Sequence, residues 1–318
     1  MKLISLAFLL SYLPSHATDT PDYSEYHKAV TAIEEHLVAE QFQEALAGYE
    51  ELLSSYEFVF LRDLKVASQL AAYLGQDAKA CAWVRRGMAA GWSWKQIRKM
   101  SILQDNIPAS DWDLLKENYN ALHAQFESWA YTPLRDEVKE LMKRDQQKAL
   151  GNFLRITDKG KTRHAEQVFA PQSEQHVKEI VRILKTQGFP GEQLIGNNVW
   201  ASTLLSHHNS ISKAYNERDK LYPPLGPLLQ ASWLRGELSP WEWALMEDWR
   251  MASMHNHQKT RYGFLGTITD AAEVDQNRAE IGLRSLALRN SLVDLQEQTG
   301  INFYLPGGYW QPGKIELP

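Results

Sequence analysis

The chain has 318 residues, enough for one large or two ordinary domains, and at 44% hydrophobic residues it can bury sizeable cores. A net charge of −5 and a pI of about 6.1 give no general basic footprint, so nucleic acid is not an expected partner. The single cysteine, Cys81, cannot close an internal disulfide, so packing must hold the fold, and its setting in Ala80-Cys81-Ala82-Trp83 marks it as a small core residue rather than a nucleophile.

The chain opens with Lys2, then an apolar run from Leu3 to Leu13, broken by Pro14. Ser15-His16-Ala17 places small residues at the positions a signal peptidase checks. The run is too short to span a bilayer, which argues against an integral membrane segment in the mature chain. Residues 1–17 therefore read as a signal peptide cleaved after Ala17, and the mature chain is expected in the periplasm or secreted.

Residues 18–130 read as one helix after another. Tyr26, Val30, Ile33 and Leu37 make one apolar stripe at helical spacing; Phe42, Ala45, Leu46, Tyr49, Leu52 and Leu53 make the next. Leu64, Ala67, Ala71 and Leu74 make a third, ended by Gly75, and Ala78, Cys81, Ala82, Arg85 and Met88 a fourth. Glu44-Ala45-Leu46 and Lys79-Ala80-Cys81 stand near the starts of two of these helices, about one tetratricopeptide period apart. Phe42 to Trp92 thus resembles a degenerate tetratricopeptide-type array, with Ala45, Ala71, Gly75 and Ala80 where such repeats let helices approach closely. An ordinary helical bundle is the alternative.

Residues 131–300 form a second helical region, followed by a turn-rich tail over 301–318. Thr132-Pro133 opens a helix whose stripe is Leu134, Val138, Leu141, Asp145 and Ala149. Ser173 is expected to cap the next helix, which carries Val177, Ile180, Val181 and Leu184 and ends at Gly188-Phe189-Pro190. A third has Trp200, Thr203, Leu204 and His207 on one face, which points His207 inward with His208 beside it. Ser239-Pro240-Trp241-Glu242 has the form of a capping box with proline at the first helical position. Its helix aligns Trp241, Leu245, Asp248, Ala252 and His255. Ala271 to Gly282 puts Arg278 on an apolar face, and Tyr262 to Ile268 reads as one short extended piece. The fold class expected is all-α, an N-terminal array beside a C-terminal helical domain.

Charged groups are rarely buried unless paired. Asp145, Asp248 and Arg278 each stand on an apolar stripe, so one shared cluster with His207 and the Tyr262 hydroxyl would satisfy all of them. The candidate catalytic residues are His207, Asp248, Asp145 and Tyr262; the candidate binding residues are Gln146, Arg250, Gln258 and Arg278. No metal site is expected. His207, His208, His255 and His257 supply imidazoles, but no His-Glu-x-x-His occurs and His255 and His257 diverge on a helix. No cofactor is expected, and no Gly-x-Ser-x-Gly marks a nucleophile.

Asp145-Gln146, Gly188-Phe189-Pro190, Ser206-His207, Asp248-Trp249, Tyr262-Gly263 and Arg278 to Gly282-Leu283 occur in an order that resembles the bacterial family called domain of unknown function 6624, over about Arg135 to Leu288. This chain lacks the glutamine before the histidine, the arginine after the second aspartate and the Thr-Gln after Tyr-Gly. The resemblance implies no activity. Two functions stay open. One is an exported binding or scaffold protein, whose N-terminal helices would meet a peptide or an envelope protein. The other is a periplasmic enzyme using His207 with Asp145 or Asp248 for general acid–base chemistry on a small polar substrate.

The leader reading has a direct check. Sequencing the N-terminus of protein recovered from cells is expected to find a chain starting at Thr18; an intact Met1 in the cytosolic fraction overturns it.

Overall fold

Asp22 opens the first helix by accepting the Ser24 amide at 2.8 Å, as an N-cap should. The computed structural model describes residues 22–153, 165–306 and 313–318, so the leader lies outside it. The described residues are all-helical: sixteen α-helices, a π turn at Ala165–Phe169, a 3-10 turn at Pro223–Leu225 and no strand. None of these helices is long and apolar enough to cross a membrane.

The N-terminal helices are α1 (Tyr23–Val38), α2 (Phe42–Ser55), α3 (Leu61–Tyr73) and α4 (Asp77–Ala89), each packed on the next. The first three apolar stripes are largely buried as their spacing predicts; on α4 the buried face is Ala80, Cys81, Trp83, Val84, Gly87 and Met88, and Ala78 and Ala82 of the expected stripe are exposed. The turns after α1 and α3 share one geometry. Gln41 N–H donates to His36 O at 2.9 Å, and Gln76 N–H to Ala71 O at 2.8 Å. The left-handed position is Glu40 in the first turn (φ 58°) and Gly75 in the second (φ 68°). A Cβ on Gly75 would meet nothing within 4 Å, so Gly75 serves the turn and not a close helix contact. The close approach belongs to Gly48, where a Cβ would stand 2.7 Å from Ile33 Cγ1. Short helices α5 (Trp94–Ile97) and α6 (Ser101–Asn106) lead to the long α7 (Ala109–Ala130), which packs against α4.

Thr132 Oγ1 accepts the Arg135 amide and Pro133 begins α8 (Pro133–Phe153), as expected. A second core gathers Leu134, Val138 and Leu141 of α8, Val177, Ile180 and Ile183 of α9 (Ala170–Thr186), Ile195 of α10 (Glu192–Ile195), Leu204 and Leu205 of α11 (Trp200–Asn209) and Met246. Ser173 does not cap α9. The helix begins earlier, with Pro171 in its first turn, and Ser173 turns inward toward His208. After α12 (Lys213–Arg218) and α13 (Gly226–Leu234) comes α14 (Pro240–Met254), which packs along α11 and begins with both halves of the capping box formed by Ser239 and Glu242. Residues 260–265 are not extended; they form an irregular loop ahead of α15 (Ala271–Glu280).

The last helix, α16 (Leu286–Thr299), returns to α1. Leu292, Leu295, Ile301 and Phe303 join the N-terminal core, and Ile301 and Phe303 are fully buried, worth about 2–3 kcal/mol each. The Gln69 side chain pairs with both backbone groups of Asn302, accepting its N–H at 2.9 Å and donating to its carbonyl at 3.1 Å. Arg62 Nε donates to Phe303 O at 3.2 Å. The start of the expected tail is thus a strap across α3, while residues 307–312 lie outside the described ones.

Glu40 adopts a backbone conformation that costs an L side chain about 1 kcal/mol. Glu40→Gly is therefore expected to stabilise the protein by about 0.5–1 kcal/mol in a denaturant titration; an unchanged or lower midpoint overturns this account of the turn.

Candidate functional site

The polar residues placed on apolar stripes do not form one cluster. Asp248 is fully buried, and five donors converge on it: Arg261 N–H at 2.7 Å and Tyr262 N–H at 2.9 Å on Oδ1; Thr260 Oγ1 at 2.8 Å, Phe264 N–H at 2.7 Å and Leu265 N–H at 3.4 Å on Oδ2. Five donors and no acceptor describe an ionised carboxylate. Burial pushes its pKa above the usual range while those hydrogen bonds pull it back. Arg278 reaches the same loop from α15, donating to Tyr262 O and Arg284 O, both at 2.6 Å, over the face of Phe264. Asp248 and Arg278 are thus joined through the backbone of residues 260–265, and Tyr262 takes part by its main chain rather than its hydroxyl.

A second group lies between α8, α9 and α11. Asp145 is 1% exposed; His207 Nδ1 meets its Oδ2 at 2.5 Å and His176 Nδ1 stands 3.8 Å from Oδ1. Burial alone would raise the Asp145 pKa, but the two imidazoles outweigh it and hold the carboxylate below its usual range. The 2.5 Å contact leaves no space for an ion between His207 and Asp145. His207 keeps 20% of its side chain exposed, while the fully buried histidine of α11 is His208. His208 meets Ser173 Oγ at 3.0 Å on one side and Asp219 Oδ1 at 3.4 Å on the other. Asp219 also takes Arg250 Nη1 at 3.4 Å, and Arg250 Nη2 donates to Asn216 O. Gln146 is exposed beside Asp145, and Gln258, His255 and His257 are exposed after α14. Among the described residues no three His, Cys, Asp or Glu side chains are grouped to hold a metal.

The third arrangement lies where α1, α3, α10, α14, the Gly282–Arg284 turn and the strap meet. A cavity of about 500 Å³ opens there, with apolar walls that include Val30, Phe60, Val199, Pro240 and Leu283. Such a volume suits a small ligand. Most of its charged residues have protein partners. Arg62 bonds Glu34 and Asp63; Arg284 Nε stands 2.6 Å from Glu34 Oε2; Tyr26 donates to Asp63 at 2.6 Å. Arg278 is held by carbonyls, as is Arg289 by Gly313 O, and Glu242 accepts from Ser202 and Ser239.

Among the described residues His27 Nε2, Trp241 Nε1 and Arg289 Nε of the lining have no hydrogen bond, and two charged groups, Lys65 and Glu192, have few protein partners. Lys65 is only 7% exposed, yet among the described residues no carboxylate pairs with it; its ammonium lies 5.0 Å from the Tyr304 ring centroid and 5.8 Å from that of Trp92. Burial lowers its pKa, with Glu192 pulling the other way. Glu192 accepts the Leu61 amide on Oε1 at 2.6 Å, and its second oxygen has no protein partner among the described residues. Burial lifts the Glu192 carboxyl to about 8 against the pull of the Leu61 amide, with Glu242 raising it further and Lys65 lowering it.

The sequence reading passed over His176, Asp219, Lys65 and Glu192. Lys65 had a usable signal. Val66 and Leu70 lie off the Leu64–Ala67–Ala71 stripe, so α3 is apolar on more than one side and its polar residues cannot all reach water.

Asp248→Ala is expected to cost about 3 kcal/mol or more in a denaturant titration, because it strands buried N–H groups of the 260–265 loop; a melt matching the parent overturns that role. Asp145 gives a pH prediction. Its folded pKa lies below the unfolded value of about 3.9, so its stabilisation is complete above that value and is lost as the pH falls through the folded pKa. Asp145→Asn is expected to lose about 1.5–3 kcal/mol at pH 7 and to show a smaller further loss on acidification than the parent. Equal acid slopes in melts from pH 7 to pH 3 overturn it.

Comparisons with protein-family models, with curated proteins and with solved structures find no match to this chain.

Proposed function

We propose that the protein is an exported binding protein that takes a small anionic molecule into the cavity beside Lys65. The observation that carries this reading is a buried ammonium with ring faces around it and no carboxylate paired to it. An unpaired buried charge costs several kcal/mol relative to a paired one, and an anionic ligand would offset that cost. Its neighbours Arg62, Arg284, Arg278 and Arg289 are held by protein groups, which leaves Lys65, among the described residues lining the cavity, as the cation without a protein hydrogen bond or ion pair. Docking of a peptide along the N-terminal helices has less support, since α16 and the strap cover parts of α1 and α3.

A second reading, general acid–base chemistry, has the His207–Asp145 contact in its favour. A carboxylate on Nδ1 leaves Nε2 of a partly exposed ring to exchange protons. The oxygens of Asp248 already carry the 260–265 loop, so Asp145 is the carboxylate this reading uses. Hydrolase activity that His207→Ala removes and Lys65→Met keeps would favour it.

Lys65→Met tests the binding reading. Without ligand the variant is expected to be more stable than the parent by on the order of 1 kcal/mol, because it removes a buried charge that has no counter-ion. With phosphate, succinate and short carboxylates as probes in a thermal-shift titration, the parent is expected to gain stability and the variant not to. A variant that melts lower than the parent and responds to the same anions overturns the proposal.

A further inference from the structure

We infer that the cavity beside Lys65 recognises a zwitterion, specifically a short apolar peptide of about two residues with both termini free, its carboxylate on Lys65 and its ammonium on Glu192. This rests on the binding reading above and narrows it.

Lys65 and Glu192 line the same cavity. They interact electrostatically, yet they form no ion pair with each other among the described residues. Among the described residues each other charged side chain lining the cavity has an ion pair or its charged group is hydrogen-bonded by the protein, so these two are the positions where a ligand's charges would be met. Both are tied to the start of α3. Glu192 binds the amide of Leu61, the first residue of that helix. Lys65 follows four residues later, one turn further along. Two extended residues span about 7 Å, and a single amino acid about half that. A cavity of about 500 Å³ has room for two residues, and a single amino acid would fill only part of it.

Part of the cavity lining is apolar and aromatic. Phe60 and Val30 belong to the N-terminal helices, Pro240 and Trp241 to the start of α14, and Leu305 and Pro306 to the strap. Side chains that met them would be apolar. A ligand ammonium placed beside Glu192 would hold that carboxyl ionised, so the complex would contain two opposed charge pairs and no excess charge. A simple monoanion satisfies Lys65 and leaves the second oxygen of Glu192 without a partner.

Calorimetric titration of the full chain with leucyl-leucine, its N-acetyl derivative and its C-terminal amide tests this on the unaltered protein. Leucyl-leucine is expected to bind, and each blocked form to bind at least tenfold more weakly. Leucine is expected to be weaker than the dipeptide. Lys65→Met is expected to lose the dipeptide. If the acetylated peptide binds as tightly as the free one and Lys65→Met loses both, the zwitterion inference is overturned and the anion reading stands. If none of these compounds binds, and phosphate and succinate do not bind either, both are overturned.

Discussion

Two buried carboxylates and the two half-buried guanidiniums that pair with them decide how the two parts of the chain meet. Glu34 of α1, Arg62 and Asp63 of α3 and Arg284 ahead of α16 form a network in which each carboxylate faces a guanidinium. Tyr26 adds a hydroxyl to Asp63, and Phe303 O takes the Arg62 Nε–H. Removing one member of such a network would leave an uncompensated charge in the interior, which costs more than the pairing gains. The network therefore tells the chain which surfaces belong together, as apolar packing alone would not. It also helps to shape the cavity, because Arg62, Asp63 and Arg284 line it while engaging Glu34 and one another, and the Lys65 ammonium has no ion pair with them among the described residues.

Three polar side chains on apolar helix faces are resolved in three different ways. Asp248 takes main-chain N–H groups and so fixes a loop that has no regular secondary structure of its own. Asp145 takes two imidazoles and so joins α8 to α9 and α11. Lys65 takes ring faces, which solvate an ammonium only in part. Asp248 leaves little residual demand, so it fits a fold-determining role, while Asp145 keeps Oδ1 without a hydrogen bond. The third has no carboxylate partner among the described residues. Function is the common reason for such a shortfall, since a chain under no other constraint would place an apolar residue there.

Much of the architecture was readable because it is local. Caps at Ser239 and Thr132, stripes at helical spacing and the turn at Gly75 are properties of a few neighbouring residues, and those elements were found where the spacing put them. The burial of Asp145, Asp248 and Arg278 was readable for the same reason. Of their partners, His207 was named for Asp145, 62 residues away, because a buried carboxylate needs one; His176, the second imidazole, was not. His207 does reach inward to Asp145 but keeps part of its ring exposed, and the fully buried ring of α11 is the neighbouring His208, because successive residues on a helix differ by about 100° and a short stripe does not fix the rotation that finely. Asp248 and Arg278 were expected to face each other as ions. Backbone groups of residues 260–265 stand between them instead, and a hydrophobic pattern carries no information about where main-chain N–H groups point.

The strap has a consequence for the order in which the molecule is assembled. Gln69 and Arg62 on α3 are satisfied by residues 233 and 241 positions further along the chain. The N-terminal helices leave the ribosome long before Ile301 and Phe303 exist, with part of their core still open to water. Long loops close slowly, since their entropy must be lost before the contacts form. Helices α1 to α4 would then remain loosely ordered until residues 301–303 arrive, and their final packing would coincide with closure of the cavity. Formation of the cavity thus waits on a segment made long after its first walls.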